Sequence, residues 1–470
     1  MIFTLTFQNF QEENTTEQRR QAFIKNAISY HKTTELYQRA YAGYKYYCNK
    51  NLTIMHYEKW IYTRIGEKIK DYISPNHKCA NGMFKEFVRQ ENECLLANGV
   101  NFKDPDTKDQ IGGSQFDNIL KKLGKAALWG GVSFGFLNTQ DSKNYIRAFT
   151  MLDFVPLWDE ETGELKAGIY FWQIDENKPL RAILFETDGY TDYLFNTREE
   201  EVKIVEPKRA YKIQVNISET GTEIASMDNY TALPIMPFWG NPEHESEFTE
   251  ALQNGIDAYD MILSGFANII DETSELYWIL TQGGMDEKDA AEFKDLVRRL
   301  RVAFNPNGES ILQPETINIP HEAREVALNR LRKEMYTAFG AVDYAEMSIN
   351  GATATGIAAA YRALNYKVSD YETCVIDFIK GILNLLDIDD EPSFTRDQLV
   401  NAGEEIDNVL KSAEHLAPTY VTKKLLTLLG DIDQLDDVLK EISETEAART
   451  EFENDNTEGN TDGEIGNSSD

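Results

Sequence analysis

The chain has 470 residues, 41% of them hydrophobic and 11% aromatic, and since single cores usually stop growing at roughly 250 to 300 residues, one small domain is excluded. Lys and Arg number 47 against 79 Asp and Glu, a formal net charge of −32, which argues against wrapping DNA by phosphate neutralisation. Plain solubility or a halophilic host accounts for such acidity on its own, so charge does not name a function.

Residues Thr16 to about Arg89 recur at helical spacing, as in Phe23, Ala27 and Tyr30 and again in Trp60, Ile61, Ile65 and Ile69, so this part is expected to be mostly helical. Phe116 to Trp129 repeats the pattern and stops at Gly130-Gly131, with a strand expected next. From Val132 to Val215 the chain changes to short aromatic and β-branched runs, Gly168 to Ile174, Arg181 to Phe185 and Tyr190 to Phe195, separated by turn residues such as Thr187-Asp188-Gly189. That pattern predicts an antiparallel meander. Pro234, Pro237 and Pro242 then forbid a continuing helix or a central strand, and mark a boundary.

Phe248, Leu252, Ile256, Tyr259, Leu263, Phe266 and Ile270 predict a long helix from Glu245 to about Leu276. Residues 277 to 320 form a small unit with strand-like runs at Ser310 to Leu312 and Thr316 to Ile319. Pro320 opens a second helix striped by Ala323, Ala327, Leu331, Met335 and Phe339. Asp343 to Thr355 reads as a loop, Gly356 to Leu386 as a third long helix, and Glu441 to Asp470, with ten acidic residues and one basic one, as a disordered tail. Ser264, Gly265 and Asn268 interrupt the apolar stretch Ile262 to Ile270, well short of the ~20 residues of a membrane span, so no membrane is expected. Cys48, Cys79, Cys94 and Cys374 are too scattered for a disulfide framework, and with no leader read ahead of them a reducing compartment is expected.

Chemistry-bearing motifs are sparse. Neither G-x-x-x-x-G-K-S/T nor G-x-G-x-x-G occurs. Gly131-Val132-Ser133-Phe134-Gly135 matches G-x-S-x-G, but a nucleophile elbow needs a strand before and a helix after, the reverse of the order read here. Asp159, Glu160, Glu161 and Glu164 fall in a hairpin loop, where solvated acids are ordinary, and His77 and Cys79 lack a second pair of zinc ligands. No catalytic, cofactor or metal site is expected.

Gly255-Ile256-Asp257-Ala258-Tyr259-Asp260, followed by Ser264, Asn268 and Asp271-Glu272, resembles the first stem helix of siphophage-type portal proteins of tailed bacteriophages. Ile317-Asn318-Ile319-Pro320-His321-Glu322-Ala323-Arg324-Glu325, running on to Phe339-Gly340, is similar to the strand leaving the portal clip and the helix climbing back up the stem. Ala354-Thr355-Gly356-Ile357-Ala358 stands where relatives usually read Ser-Gly and then Val-Ala-Leu-Lys, and Asn81 to Val88 with Leu95 to Gly99 resembles the wing helix.

The resemblance implies an α+β fold, mainly α. Its parts would be a wing at 1–242 (helices, then a β-rich part at 132–237), a first stem helix at 243–276 and a clip at 277–319. A second stem helix at 320–340, a tunnel loop at 341–355, crown helices at 356–440 and the acidic tail at 441–470 would follow. It implies a homo-oligomeric ring, a dodecamer in the capsid, that passes double-stranded DNA and meets terminase, scaffold, coat and head-completion or adaptor proteins, assembling in the host cytoplasm and residing in the virion. Tyr344, Glu346, Met347, Ser348 and Asn350 are the tunnel-loop candidates, and Asp257, Tyr259, Asp260, Arg324, Arg330 and Lys333 the stem candidates. Another virion ring or scaffold component, or an acidic hydrolase, are the alternatives.

Overall fold

The computed structural model describes residues 5–62, 67–72, 74–140, 143–175, 177–195, 202–218, 221–273, 277–280, 312–315, 321–349, 354–397, 402–429, 435 and 438–442. Two compact units result, residues 1–342 with 363–397 and residues 343–362 with 398–470.

The first unit opens with helices α1 (Phe7–Glu13), α2 (Glu17–His31), α3 (Glu35–Tyr47) and α4 (Leu52–His56). Thr6, Thr16, Thr34 and Asn51 each cap one of them, the side-chain oxygen accepting from the N–H three residues on, which satisfies a donor the helix cannot use internally. α1 lies ahead of the expected helical region, and its signal is the Thr6 cap. At the end of α2, the buried His31 ring donates through Nε2 to the Met151 carbonyl at 2.8 Å, and burial lowers its pKa to about 4.

The helical reading fails at Trp60 to Ile69. There the chain forms an antiparallel hairpin of β1 (Trp60–Tyr62) and β2 (Lys68–Lys70), with Trp60 opposite Lys70 and Ile61 opposite Ile69. A spacing of four residues, as between Ile61, Ile65 and Ile69, returns to one face of a helix and equally to one face of a strand, and β-branched and aromatic residues favour the strand.

Next come α5 (Met83–Leu96), β3 (Val100–Asn101), α6 (Pro105–Gln110) and α7 (Ser114–Gly130), and then ten strands: β4 (Val132–Gln140), β5 (Lys143–Thr150), β6 (Phe154–Trp158), β7 (Leu165–Trp172), β8 (Leu180–Glu186), β9 (Gly189–Phe195), β10 (Val202–Arg209), β11 (Lys212–Ser218), β12 (Gly221–Asp228) and β13 (Ile235–Trp239). They do not make one meander. β6 to β10 form one sheet in the order β10-β9-β8-β7-β6, and the rest form a second in the order β12-β11-β4-β13 with β5 also on β4. β4 is central because residues 132 to 137 are buried on both faces, so both sides of the strand need cover. β13 carries Pro237 opposite Phe134 but lies at a sheet edge, where the missing N–H costs no ladder bond.

One face of the first sheet packs Val155, Leu157, Ile169, Phe171, Leu184 and Tyr193 under Phe10, Phe23, Ile24 and Ile28 of α1 and α2. Its other face meets the second sheet along an aromatic seam, with ring centroids 4.5 Å apart for Phe134 and Phe154, 4.9 Å for Phe136 and Phe185 and 4.3 Å for Phe149 and Tyr170. α7 covers β4, β5 and β13 on the far side. The order of layers is helix, sheet, sheet, helix, each apolar face finding one partner.

Beyond the sheets, α8 (Glu250–Thr273) begins five residues later than the apolar spacing predicts. The reason is capping: Asn241 accepts from the Glu245 N–H at 3.0 Å, Ser246 donates to the Trp129 carbonyl at 2.8 Å, and Thr249 accepts from the Leu252 N–H at 3.3 Å. β14 (Tyr277–Leu280) pairs antiparallel with β15 (Leu312–Glu315), which starts on the last residue of the strand-like run read at 310–312 and stops short of the one read at 316–319; most of the 277–319 unit lies outside the described residues. α9 (His321–Phe339), α10 (Tyr344–Ile349) and α11 (Ala354–Leu385) follow. β16 (Ser393–Phe394) pairs with β3, α12 (Ala402–Ser412) and α13 (Pro418–Leu429) follow, and residues 438–442 are helical.

α10 corrects the reading of 343 to 355 as a loop. Asp343 Oδ1 accepts from the Ala345 N–H at 3.1 Å, and Glu346 stands three residues after it, the spacing of a capping box, which favours a helix start despite low hydrophobicity. Residues 350–353 lie outside the described residues, as does the tail expected to be disordered at 441–470 apart from Glu441 and Ile442, which are helical. No helix among the described residues is long and apolar enough to cross a membrane.

Candidate functional site

α8 and α9 pack antiparallel. Gly255 lies against Met335, a Cβ there standing 3.1 Å from Met335 Cγ, and toward the other end the Phe266 and His321 rings meet edge-on at 5.7 Å with the Arg324 guanidinium 5.8 Å from the Phe266 ring. At 1.5 Å per residue the 24 residues of α8 extend about 36 Å.

The buried face of α8 is polar from its middle onward: Asp260, Ser264 and Asn268, four residues apart, are all buried. Each accepts a backbone N–H from the extended segment His77 to Asn81. Asn81 donates to Asp260 Oδ1 at 3.0 Å, Cys79 to Ser264 Oγ at 2.9 Å and His77 to Asn268 Oδ1 at 2.7 Å. The register follows from geometry, since alternate residues of an extended chain advance about 6.6 Å and four helical residues about 6 Å. The side chains of Asn81 and Asn51 donate to Asp260 as well, at 2.6 and 2.8 Å. Burial raises the Asp260 pKa, and the bonds from Asn51 and Asn81 oppose that rise. One turn earlier, Asp257 accepts from the Tyr46 hydroxyl at 2.5 Å and from Thr53 Oγ1 at 2.7 Å.

Two of the six stem candidates are therefore brought together, Asp257 and Asp260, as anchors for α3, α4 and the 77–81 segment. Tyr259 is half-buried on the same helix. On α9, Arg324 lies over Phe266, exposed Arg330 pairs with Glu334 one turn on at 2.9 Å, and Lys333 is exposed. Asp260→Ala should cost about 2–3 kcal/mol, because it strands the Asn51 and Asn81 donors in a buried site, whereas Asp260→Asn, which keeps an acceptor, should cost less. Urea unfolding of the three proteins side by side checks this; equal losses would mean that the negative charge and not hydrogen bonding is what the site uses.

A second buried polar group joins α5 to the chain after α9. Gln90, Glu91 and Asn92 are consecutive, so on a helix they point in three directions, and all three are buried. Gln90 bonds both backbone groups of Val342, donating to its carbonyl at 3.0 Å and accepting from its N–H at 2.9 Å. Asn92 accepts from the Tyr371 hydroxyl at 2.9 Å. Glu91 lies 2.9 Å from the Lys367 ammonium, which also contacts Glu247 at 2.5 Å and sits 3.2 Å from the centroid of the Phe339 ring. Burial pushes the Glu91 carboxyl up to about 7; the Lys367 charge opposes this, and the Glu247 charge adds to it.

The tunnel-loop candidates fall on α10. Tyr344 and Glu346 are exposed and Met347 half-buried, with the Tyr344 and Tyr361 hydroxyls 3.3 Å apart. Ser348 is the fifth residue of α10, and Asn350 lies outside the described residues.

Motifs weighed for chemistry serve the fold. Ser133 is buried and donates from Oγ to the Leu123 carbonyl at 2.8 Å, between a helix that ends at Gly131 in a left-handed conformation (φ 84°) and strand β4. Asp159 caps its own hairpin turn, accepting from the N–H groups of Glu161 at 3.0 Å and Thr162 at 2.8 Å. The His77 ring bonds Asp271 at 2.6 Å. Sequence reasoning missed Ser264, Asn268, Gln90, Glu91, Asn92 and Lys367. For the first two a signal existed: beyond interrupting an apolar stretch and falling within the stem-helix resemblance, Ser264 and Asn268 share one helical face with Asp260.

A family model described as phage portal protein, SPP1 Gp6-like, matches residues 26–451. The chain belongs to this portal family. The match takes in both polar anchor groups, the α8 and α9 pair and α10 to α13. The "Portal protein" of Clostridium phage phiCD119 is 24% identical over 238 residues, 48% of this chain and 52% of that protein; the chain spans about half the length of the curated relative it matches. Among solved structures the portal-family chain is similar to one in the "Virion of native gene transfer agent (GTA) particle", with a TM-score of 0.41 and 13% identity over 74% of this chain and 89% of that one. It is also similar to one in the "Neck of empty GTA particle computed with C6 symmetry", with a TM-score of 0.42 and 14% identity over 73% and 90%.

Proposed function

We propose that the chain is the subunit of a homo-oligomeric ring at one vertex of a phage capsid, the doorway through which double-stranded DNA is packaged and ejected. What carries the reading is the family match across residues 26–451, which includes the antiparallel α8 and α9. In this reading α8 and α9 are the stem, the 277–319 unit is the clip, residues 1–242 are the wing, and α10 with its neighbours forms the tunnel element, with Tyr344, Glu346, Met347, Ser348 and Asn350 toward the channel. Terminase, scaffold, coat and head-completion or adaptor proteins are the partners such a ring meets, and twelve subunits the expected number in the capsid.

The charge suits the role. With a net charge of −32 per subunit, a ring repels phosphate instead of holding it, and DNA that must slide is not gripped. The role is structural and not catalytic, in keeping with a Ser133 hydroxyl already donating within the core. Negative-stain microscopy of the purified chain is the test: rings with a central hole are expected, and solely small, compact particles at high concentration would overturn the proposal.

A further inference from the structure

The β1–β2 hairpin raises a question of stability. A two-stranded ribbon on its own is marginal in water, and among the described residues no third strand pairs with it. Its surface is nevertheless apolar in part. Trp60 is 47% exposed, Ile69 43% and Tyr72, two residues past β2, 83%. Lysines stack on these rings: Lys68 lies 4.7 Å from the Trp60 centroid and Lys70 5.5 Å from that of Tyr72, while Lys78 lies 5.2 Å from that of Tyr57.

The base of the hairpin is fixed. Asp71 N–H donates to the Lys59 carbonyl at 2.9 Å, the Lys78 ammonium donates to the Tyr57 carbonyl, and the neighbouring His77 and Cys79 are bonded to α8. A rigidly rooted element therefore presents an aromatic and basic surface. Between Met55 and Asn81 the sequence has five basic residues against three acidic ones, in a chain of net charge −32.

We propose that this hairpin is an arm that seats on a neighbouring copy of the same chain, which covers Trp60, Ile69 and Tyr72 and offers an acidic side chain to Lys68, Lys70 being already paired with Glu58 at 2.5 Å. A ring needs a heterologous interface, two unlike patches on one chain, and a locally basic arm on an acidic body is such a pair. Exposed aromatic residues of this kind are where binding energy concentrates. DNA is the weaker match, because two net positive charges neutralise too few phosphates for a grip. The inference rests on the ring reading above.

The test uses the full-length chain and measures the concentration at which half of it is assembled, by light scattering and native mass spectrometry. Trp60→Ala with Ile69→Ser, and separately Lys68→Glu, should each raise that concentration about tenfold or more, with thermal unfolding of the dissociated chain near the wild type. A photo-crosslinking amino acid at Tyr72, chosen because that side chain is already exposed, should yield covalent dimers of the chain under assembly conditions. Assembly midpoints equal to the wild type, or an adduct formed with added DNA alone or not at all, overturn the arm while leaving the ring reading intact. A wild-type chain that never assembles overturns the ring reading itself.

Discussion

Lys367→Met should destabilise the first unit by about 3–5 kcal/mol at pH 8, the cost of removing one partner from a buried ion pair, and by much less at pH 5. Lys367 stands between the Glu91 and Glu247 carboxylates, so without it two acids face each other with no counter-charge, one of them fully buried. The pH dependence follows from the Glu91 pKa, raised in the fold to about 7. A raised folded pKa gives stability that is complete below the unfolded value, near 4.3, and is lost as pH rises through about 7. At pH 5 Glu91 is protonated in either protein, and Lys367 then matters only to Glu247 and the Phe339 ring. Adding Glu91→Gln to Lys367→Met should restore most of the loss at pH 8. Thermal melting at both pH values checks this, and an equal loss at pH 5 and pH 8 would show that Lys367 acts by packing its chain and not by its charge.

Gly124→Ala carries the second large effect, and its sign is the informative part. Inside a helix such as α7 the change ordinarily gains roughly 0.5–1 kcal/mol. Here the new Cβ would stand 1.9 Å from the Tyr371 hydroxyl and 2.3 Å from Asn92 Oδ1. Neither can retreat: both residues are buried and bonded to each other at 2.9 Å. A loss of about 2–4 kcal/mol is expected, as for other overpacked cores. Tyr371→Phe removes the nearest atom, so in a double-mutant cycle the two changes together should cost clearly less than the sum of each alone. Strict additivity, measured by denaturant unfolding, would place the clash elsewhere.

Much of this architecture could be read along the chain because it is local. The stripe of Phe248, Leu252 and Ile256 marks α8, the Gly130-Gly131 pair ends α7, and turn residues separate β6 to β9 in order. What lay beyond reach was non-local. Nothing in the residues of β4 says that β5 and β13 flank it, since sheet order depends on which faces need cover, and that emerges only when Phe134 and Phe136 meet Phe154 and Phe185. The Trp60 to Ile69 error came from a spacing common to both periods, and the loop assigned at 343 to 355 from weighing hydrophobicity above the Asp343 and Glu346 cap. Among the site candidates, the residue type and helix were legible for Asp257 and Asp260 but their role was not, because the donors are supplied by Tyr46 and Thr53 to Asp257 and by Asn51 and Asn81 to Asp260, all more than 170 residues away in the chain.

The seam between α8 and residues 77 to 81 behaves like a vernier. The extended chain gains about 0.6 Å on the helix at each step, so a match centred on Cys79 and Ser264 keeps its neighbours in hydrogen-bond range but has little room for a fourth. Three bonds fix the register of one segment on the other while the drift forbids sliding to a longer overlap. The amides of His77, Cys79 and Asn81, which belong to no helix or strand, are accordingly ones whose hydrogen exchange with solvent should be as slow as that of the α8 backbone.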